Sequence, residues 1–323
     1  DRCFHTGFAT EGAVDSDTIL AGNLIIRAVG DPSVCSRHFP EYGGLADSVA
    51  VRLRNRGIRE VAGSIEIDSA RFREQGPGRK WELEDLKWSY GAGLYPLNYK
   101  DNMVPVDRSM DDPGEEFVID LEERLNANGI RVVWGDYEQL DCPSMPLYDY
   151  YSPEARDILR ATLYESHNMF AEGMLRSLSP RGMVKDALAR EYQLLRDAGL
   201  DTGQLQAYDG SGLTRASSTT PRFMTEMLQM MAYRPDASSY VSLFPKVGID
   251  GTVKKLLCGT PLEGRLVLKS GSMKGVYCYA GYLIGDSGLP THTVVIMING
   301  FTCSRAAVKK GIESFLLGRF AER

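Results

Sequence analysis

From about residue 11 to residue 150 the chain alternates short β-branched runs with Gly, Asp and Pro punctuation. Residues 24–29 and 63–67 are rich in Ile and Val, the residue types that fit a pleated, half-buried surface, and predict strands. Residues 46–55 place Val49 and Leu53 one helical turn apart between charged positions, which predicts an amphipathic helix stopped by Gly57. The same reading gives a helix over 117–128 with a stop at Gly129, leading into a strand at 130–134. Helix followed by strand, repeated, indicates an α/β layer arrangement and not a tandem array.

A Pro-rich connection at 141–146 predicts the passage to a second domain, helical to about residue 232. Helices are expected over 186–195 and 220–231, and Leu159, Leu163, Phe170, Met174 and Leu175 recur at helical spacing on either side of Ser166-His167-Asn168. The end of the chain reads as strands at 265–269, 276–284 and 292–298, closed by a helix over 306–317.

With 323 residues the chain is long enough for two domains and a substantial core. A hydrophobic content of 43% with 25% charged residues is ordinary for a soluble globular protein. The formal net charge of -6 argues against a nucleic-acid partner, which needs a basic face. No apolar run approaches the roughly 18 residues that span a bilayer, and no signal-peptide pattern is present. The six cysteines, Cys3, Cys35, Cys142, Cys258, Cys278 and Cys303, show no C-x-x-C spacing and, with four histidines, predict no zinc cluster. Six cysteines allow about fifteen pairings and the sequence does not choose among them. Cys278, in a strand, reads as a small apolar residue, and a cysteine nucleophile is the outsider because no activating His adjoins any Cys in sequence.

The chemistry concentrates in a few short stretches. Leu268-Lys269-Ser270-Gly271-Ser272-Met273 puts a Lys-Ser-Gly triplet at the end of an apolar strand, with a turn into the next strand. A cation and hydroxyls at a strand edge suit an extended peptide ending in a carboxylate. Gly271 keeps that edge clear for a close backbone approach, and Ser272 shares a face with Ser270 at period two. In Ser166-His167-Asn168 the hydroxyl can pass a proton and the Asn amide can hold a carbonyl or a lysine, whereas His167 reads as a spacer. Tyr208-Asp209-Gly210-Ser211-Gly212-Leu213-Thr214-Arg215 makes a tight loop. Its Asp209, Ser211 and Gly212 shape a wall or touch ligand, and Arg215 can pair with a carboxylate. Trp88 and Tyr90 read as core, or as cleft lining for a substrate side chain.

Taken in order, Ser166-x-Asn168, the loop 208–215, Gly248-Ile249-Asp250-Gly251-Thr252 and Lys269-Ser270-Gly271 resemble the D-alanyl-D-alanine carboxypeptidase/endopeptidase family of low-molecular-mass class C penicillin-binding proteins. Gly30-Asp31-Pro32, Trp81 and Asp85 with Trp88, and Gly22-Asn23-Leu24 resemble that family's inserted domain, so the likeness runs over nearly the whole chain. The resemblance implies an α+β fold: a penicillin-binding, transpeptidase-like (β-lactamase-like) domain of residues 1–10 and 148–323, its antiparallel sheet flanked by helices. An inserted α/β domain spans 11–147. It implies serine acyl transfer on D-Ala-D-Ala peptides of peptidoglycan, outside the cytoplasmic membrane. Ser166, Asn168 and Lys269 take the catalytic roles, and Ser270, Gly271, Ser272, Asp209, Ser211, Gly212 and Arg215 bind substrate. The backbone beside Ser272 supplies an oxyanion donor.

No metal or organic cofactor is implied. The partners are peptidoglycan stem peptides, and β-lactams if the nucleophile segment is present, with no nucleic acid and no membrane span; a homo-oligomer is left open.

One part of the pattern is missing. The family's nucleophile lies in a Ser-x-x-Lys motif upstream of these stretches, and no Lys of this chain has a Ser three positions before it. The chain opens on Asp1, within what resembles the family's Phe-x-Thr stretch at Phe4-His5-Thr6, and so reads as a member lacking its first segment. As written it is expected to form no acyl-enzyme. The rival reading is a catalytically silent peptidoglycan-binding or scaffold protein; a β-lactamase or esterase suits the long insert less well.

Overall fold

In the computed structural model, residues 2–135 and 144–321 are described. The chain divides into two compact units, Asp1–Ile158 with Asn168–Glu191 and Tyr208–Arg215, and Leu159–His167 with Tyr192–Ala207 and Ala216–Arg323. Along the first unit run β1 (His5–Val14), β2 (Ile19–Arg27), α1 (Leu45–Asn55), β3 (Glu60–Ala62), β4 (Ile65–Asp68), β5 (Met103–Val104), β6 (Arg108–Ser109), α2 (Pro113–Ala127), β7 (Arg131–Val133) and β8 (Met145–Tyr151). The chain continues through α3 (Ala155–Glu165), α4 (Asn168–Arg176) and α5 (Val184–Asp197). The remainder lies in the second unit apart from the loop 208–215: β9 (Leu205–Gln206), β10 (Ser218–Thr219), α6 (Pro221–Ala232), α7 (Ala237–Val241), β11 (Leu266–Met273), β12 (Val276–Ile284), β13 (Pro290–Asn299) and α8 (Arg305–Phe320).

The first unit is built on a mixed sheet of order β7-β3-β2-β1-β8, with β4 also paired to β2. β1 is antiparallel to both neighbours, while β2, β3, β4 and β7 pair in parallel. Leu20, Leu24 and Ile26 of β2 meet Val49 and Leu53 of α1 and Phe117, Leu121 and Leu125 of α2 in one core. Each such fully buried side chain contributes about 1.5–3 kcal/mol, which is why α1 and α2 hold despite their charged outer faces.

α1 and α2 stop where the sequence predicts. Ile58 N–H reaches Leu53 O at 3.1 Å and Ile130 N–H reaches Leu125 O at 2.9 Å, each closing over a glycine with positive φ, Gly57 at 79° and Gly129 at 76°. α5 ends likewise on Gly199, φ 84°, with Leu200 N–H on Leu195 O at 3.0 Å.

Two of the longer strands, β1 and β8, were not legible. β1 contains Gly7, Ala9, Gly12 and Ala13, residues of low strand propensity, and is a strand because it pairs on both sides. β8 begins at Met145, inside the stretch read as a connection, and carries Pro146 where its register against β1 shifts between Phe8 and Ala9. As an edge strand β8 tolerates a residue without an N–H. Residues 141–143 of that connection, Cys142 among them, lie outside the described residues.

The second unit holds an antiparallel sheet of order β11-β12-β13. Val308, Ile312 and Leu316 of α8 pack with Leu266, Leu268, Tyr279 and Val294. Leu228 of α6 joins Val267 and Tyr282, with Leu163 of α3 packed against them. Among the described residues no helix is long and apolar enough to cross a membrane.

The Lys-Ser-Gly triplet is not itself the turn. β11 runs through Met273, and the reversal falls at Lys274-Gly275, where Gly275 has φ 76°. Each residue from Leu266 to Met273 has a partner on β12, so the ladder carries the triplet in an extended conformation up to the hairpin.

Candidate active site

Ser166 follows the last turn of α3. His167 N–H donates to Thr162 O at 3.2 Å, closing the helix as α1, α2 and α5 are closed, yet the left-handed seat is filled by serine with φ 57°. An L-residue with a Cβ in that region carries a penalty of about 1–2 kcal/mol. The conformation aims the hydroxyl at Lys269, whose Nζ donates to Ser166 Oγ at 2.7 Å. Lys269 Nζ also donates to the Ser270 carbonyl.

Burial pushes the Lys269 ammonium down to about 8, because desolvation disfavours the charged form. A lysine in that range, touching a serine hydroxyl, is charged near neutrality and still able to exchange protons.

β11 is an edge strand over this stretch. Leu268 N–H points away from β12 to Pro245 O at 3.1 Å, and Leu266 O accepts from Val247 N–H on the same side. Backbone direction alternates along a strand, so the N–H groups of Ser270 and Ser272 face that outer edge as well. Gly271 and Ser272 are exposed. A Cβ on Gly271 would meet nothing nearer than the Cys278 Cβ at 3.9 Å, so packing within the protein does not demand glycine there. Ser270 Oγ lies 2.7 Å from Thr252 Oγ1. Thr252 was not among the residues picked from sequence, although the Gly251-Thr252 pair stood in a stretch that carried the family likeness.

The other candidates belong to the first unit and are described with it, since the chain passes between units at His167 and Asn168. Asn168 opens α4, and its Nδ2 donates to Tyr90 O at 2.8 Å. Tyr90 is 44% exposed and donates its hydroxyl to Asp85 at 2.9 Å, which makes it a surface residue and not core.

One turn after Asn168, the buried Glu172 accepts from the N–H groups of Gly210 at 3.0 Å and Ser211 at 2.9 Å. Burial, then the charge of Asp209, raise its pKa, while the bonds from Ser211 oppose the rise. Asp209 accepts from Trp81 Nε1 at 3.0 Å and from the N–H groups of Gly212 and Thr214 at 2.8 Å each. These bonds give Asp209 a role in shaping its loop. Ser211 Oγ accepts from Leu213 N–H at 3.3 Å. Arg215 lies 3.5 Å from Glu82 in an ion pair of two half-exposed side chains, which is weak enough to exchange partners.

Glu172 was missed because an acid on an otherwise apolar helix face carries no local signal of the loop it organises. Cys3, Cys35, Cys258, Cys278 and Cys303 are free thiols. Burial raises the pKa of Cys35 to about 11 and that of Cys278 above its ordinary value, so neither is an activated nucleophile.

Residues 1–133 and 100–318 match the D-Ala-D-Ala carboxypeptidase 3 (S13) family. The chain is similar to the D-alanyl-D-alanine carboxypeptidase DacB of Haemophilus influenzae, with 23% identity over 93% of this chain and 76% of that protein. Among solved structures it resembles penicillin binding protein 4 (dacB) of Haemophilus influenzae, TM-score 0.83 at 20% identity, covering 98% of this chain and 86% of that one. It also resembles the same protein complexed with a β-lactam, TM-score 0.75 at 20% identity, covering 98% and 85%. The fold is therefore the α+β, penicillin-binding transpeptidase-like one.

Proposed function

Because the chain belongs to the D-Ala-D-Ala carboxypeptidase 3 (S13) family, we propose that its second unit binds D-Ala-D-Ala ends of peptidoglycan stem peptides along the outer edge of β11, outside the cytoplasmic membrane. The observation that carries this reading is the 2.7 Å contact of Lys269 Nζ with Ser166 Oγ beside an exposed strand edge. The peptide adds to β11 as a further strand, and Gly271 leaves room for its backbone. The Lys269 ammonium and the Ser270 hydroxyl hold the terminal carboxylate.

In the complete reaction a serine attacks the carbonyl of the penultimate D-Ala. The Ser272 N–H faces the developing oxyanion, and the bond to the terminal D-Ala breaks as its nitrogen takes a proton. Ser166 delivers that proton and is replenished from Lys269; water then releases the acyl group.

The attacking serine and its base are a Ser-x-x-Lys pair, which the 323 residues do not contain. The polypeptide as written therefore binds D,D-peptides and β-lactams without acylation, and acquires carboxypeptidase or endopeptidase activity when joined to such a segment. Calorimetry with an N-acylated D-Ala-D-Ala peptide and its L-Ala-L-Ala counterpart tests the proposal. Binding confined to the D,D-peptide is expected, and equal binding of the two, or none, counts against it.

A further inference from the structure

We infer that Thr252 is a positioning residue for the carboxylate site, acting through the hydroxyl of Ser270. The inference rests on the reading of Lys269 and Ser270 as the carboxylate grip and adds a residue that holds the grip in shape.

Three observations converge on the turn 251–253. Thr252 Oγ1 and Ser270 Oγ are 2.7 Å apart, close enough that one hydroxyl donates to the other. When Thr252 donates, the hydrogen of Ser270 is left to point elsewhere, and a hydroxyl already accepting a hydrogen bond is a better donor. Thr252 is exposed and Ser270 only half-buried, so water can satisfy both groups, and a hydroxyl pair at such a place adds little to stability.

Second, the backbone beside Thr252 is fixed against the helix that carries Ser166. Gly251 has φ 51°, and a Cβ there would stand 2.5 Å from the Tyr164 carbonyl oxygen, in the last turn of α3. Only glycine fits so close an approach. Third, Val253 is 1% exposed in the core beneath β11 and α8, and its carbonyl accepts from Gly248 N–H at 3.1 Å. The turn is thus pinned to the core at Val253, to α3 at Gly251 and to β11 at Thr252. It therefore adjoins both the helix that ends at Ser166 and the strand that carries Ser270.

Calorimetry on the 323-residue chain distinguishes this role from a structural one. The probes are an N-acylated D-Ala-D-Ala peptide with a free C-terminal carboxylate and the same peptide amidated. Thr252→Val, which removes the hydroxyl at constant shape, should weaken the free-acid peptide about five- to tenfold, the effect of one hydrogen bond. Thr252→Ser should restore affinity to within about twofold. The amidated peptide should bind the variants equally, and in a Ser270→Ala background Thr252→Val should have no further effect. Equal affinity of Thr252→Val and the unaltered chain for the free acid overturns the inference, as does an equal loss for acid and amide. An unaltered chain that fails to bind the free acid overturns the proposed function and this inference together.

Discussion

Four helices of this protein end by the same backbone device and fill its left-handed seat differently. α1, α2 and α5 close over Gly57, Gly129 and Gly199. α3 closes over Ser166. A glycine enters the left-handed region without steric penalty, whereas serine carries a Cβ that meets the neighbouring carbonyl. At α3 the strain coincides with a hydroxyl bonded to a desolvated lysine, the pair to which we assign the proton relay.

Turning α3 into one of the other ends is the strongest test of that contrast. With a Ser-x-x-Lys segment joined to the chain, Ser166→Gly should lower D,D-peptide hydrolysis by about 10²–10⁴, the scale of a lost proton relay. The same change should raise unfolding stability by about 1 kcal/mol in urea titrations, because the strain is relieved. A variant both less active and less stable would break the comparison.

Removing the other partner of the bond gives the next effect. Lys269→Ala should weaken a D-Ala-D-Ala peptide about 10- to 100-fold by calorimetry, since a charge-assisted bond contributes roughly 1.5–3 kcal/mol. His167→Ala, one residue from Ser166 but a spacer in this account, should change it little. Lys269 also sets two opposed pH dependences. Peptide affinity requires the ammonium and should fall as pH rises above about 8. Stability should move the other way: the folded-state value lies below that of an unfolded lysine, so across that window the unfolded chain binds more protons. This contribution is complete above the ordinary lysine value and is lost as pH falls through about 8. Thermal unfolding of Lys269→Met across that range should show a flatter profile.

The converse exchange is the mildest. Gly57→Ser places at α1 the residue that α3 already tolerates and should cost about 1 kcal/mol in chemical denaturation, with peptide binding untouched.

What could be read ahead of the structure follows the same division between local and distant causes. The strand Val276–Ile284, helix α1 and the stops at Gly57 and Gly129 were legible because alternation, turn spacing and a left-handed residue are properties of a few neighbouring positions. β1 and β8 were not, since Gly7, Ala9 and Pro146 are poor strand residues that become strand only by pairing across the sheet. In the site, Ser166 and Lys269 stood out through their motifs, and the structure brings their side chains together from 103 residues apart. Thr252 and Glu172 stayed hidden because each acts on a group distant in the chain, Ser270 for one and the Gly210 and Ser211 amides for the other. The left-handed backbone of Ser166 was equally hidden, since a serine gives no local sign of occupying a glycine seat.

As proposed, Ser166 relays protons and does not attack. Intact-protein mass spectrometry of the 323-residue polypeptide after incubation with penicillin tests it most directly. Ser166 holds a hydroxyl against Lys269, but acylation in this account needs a Ser-x-x-Lys pair one helical turn apart, absent from these residues. An unchanged protein mass is expected for this polypeptide, and a penicilloyl adduct once such a segment is joined to it. A penicilloyl adduct on Ser166, or on any other of the 323 residues without that segment, would contradict it.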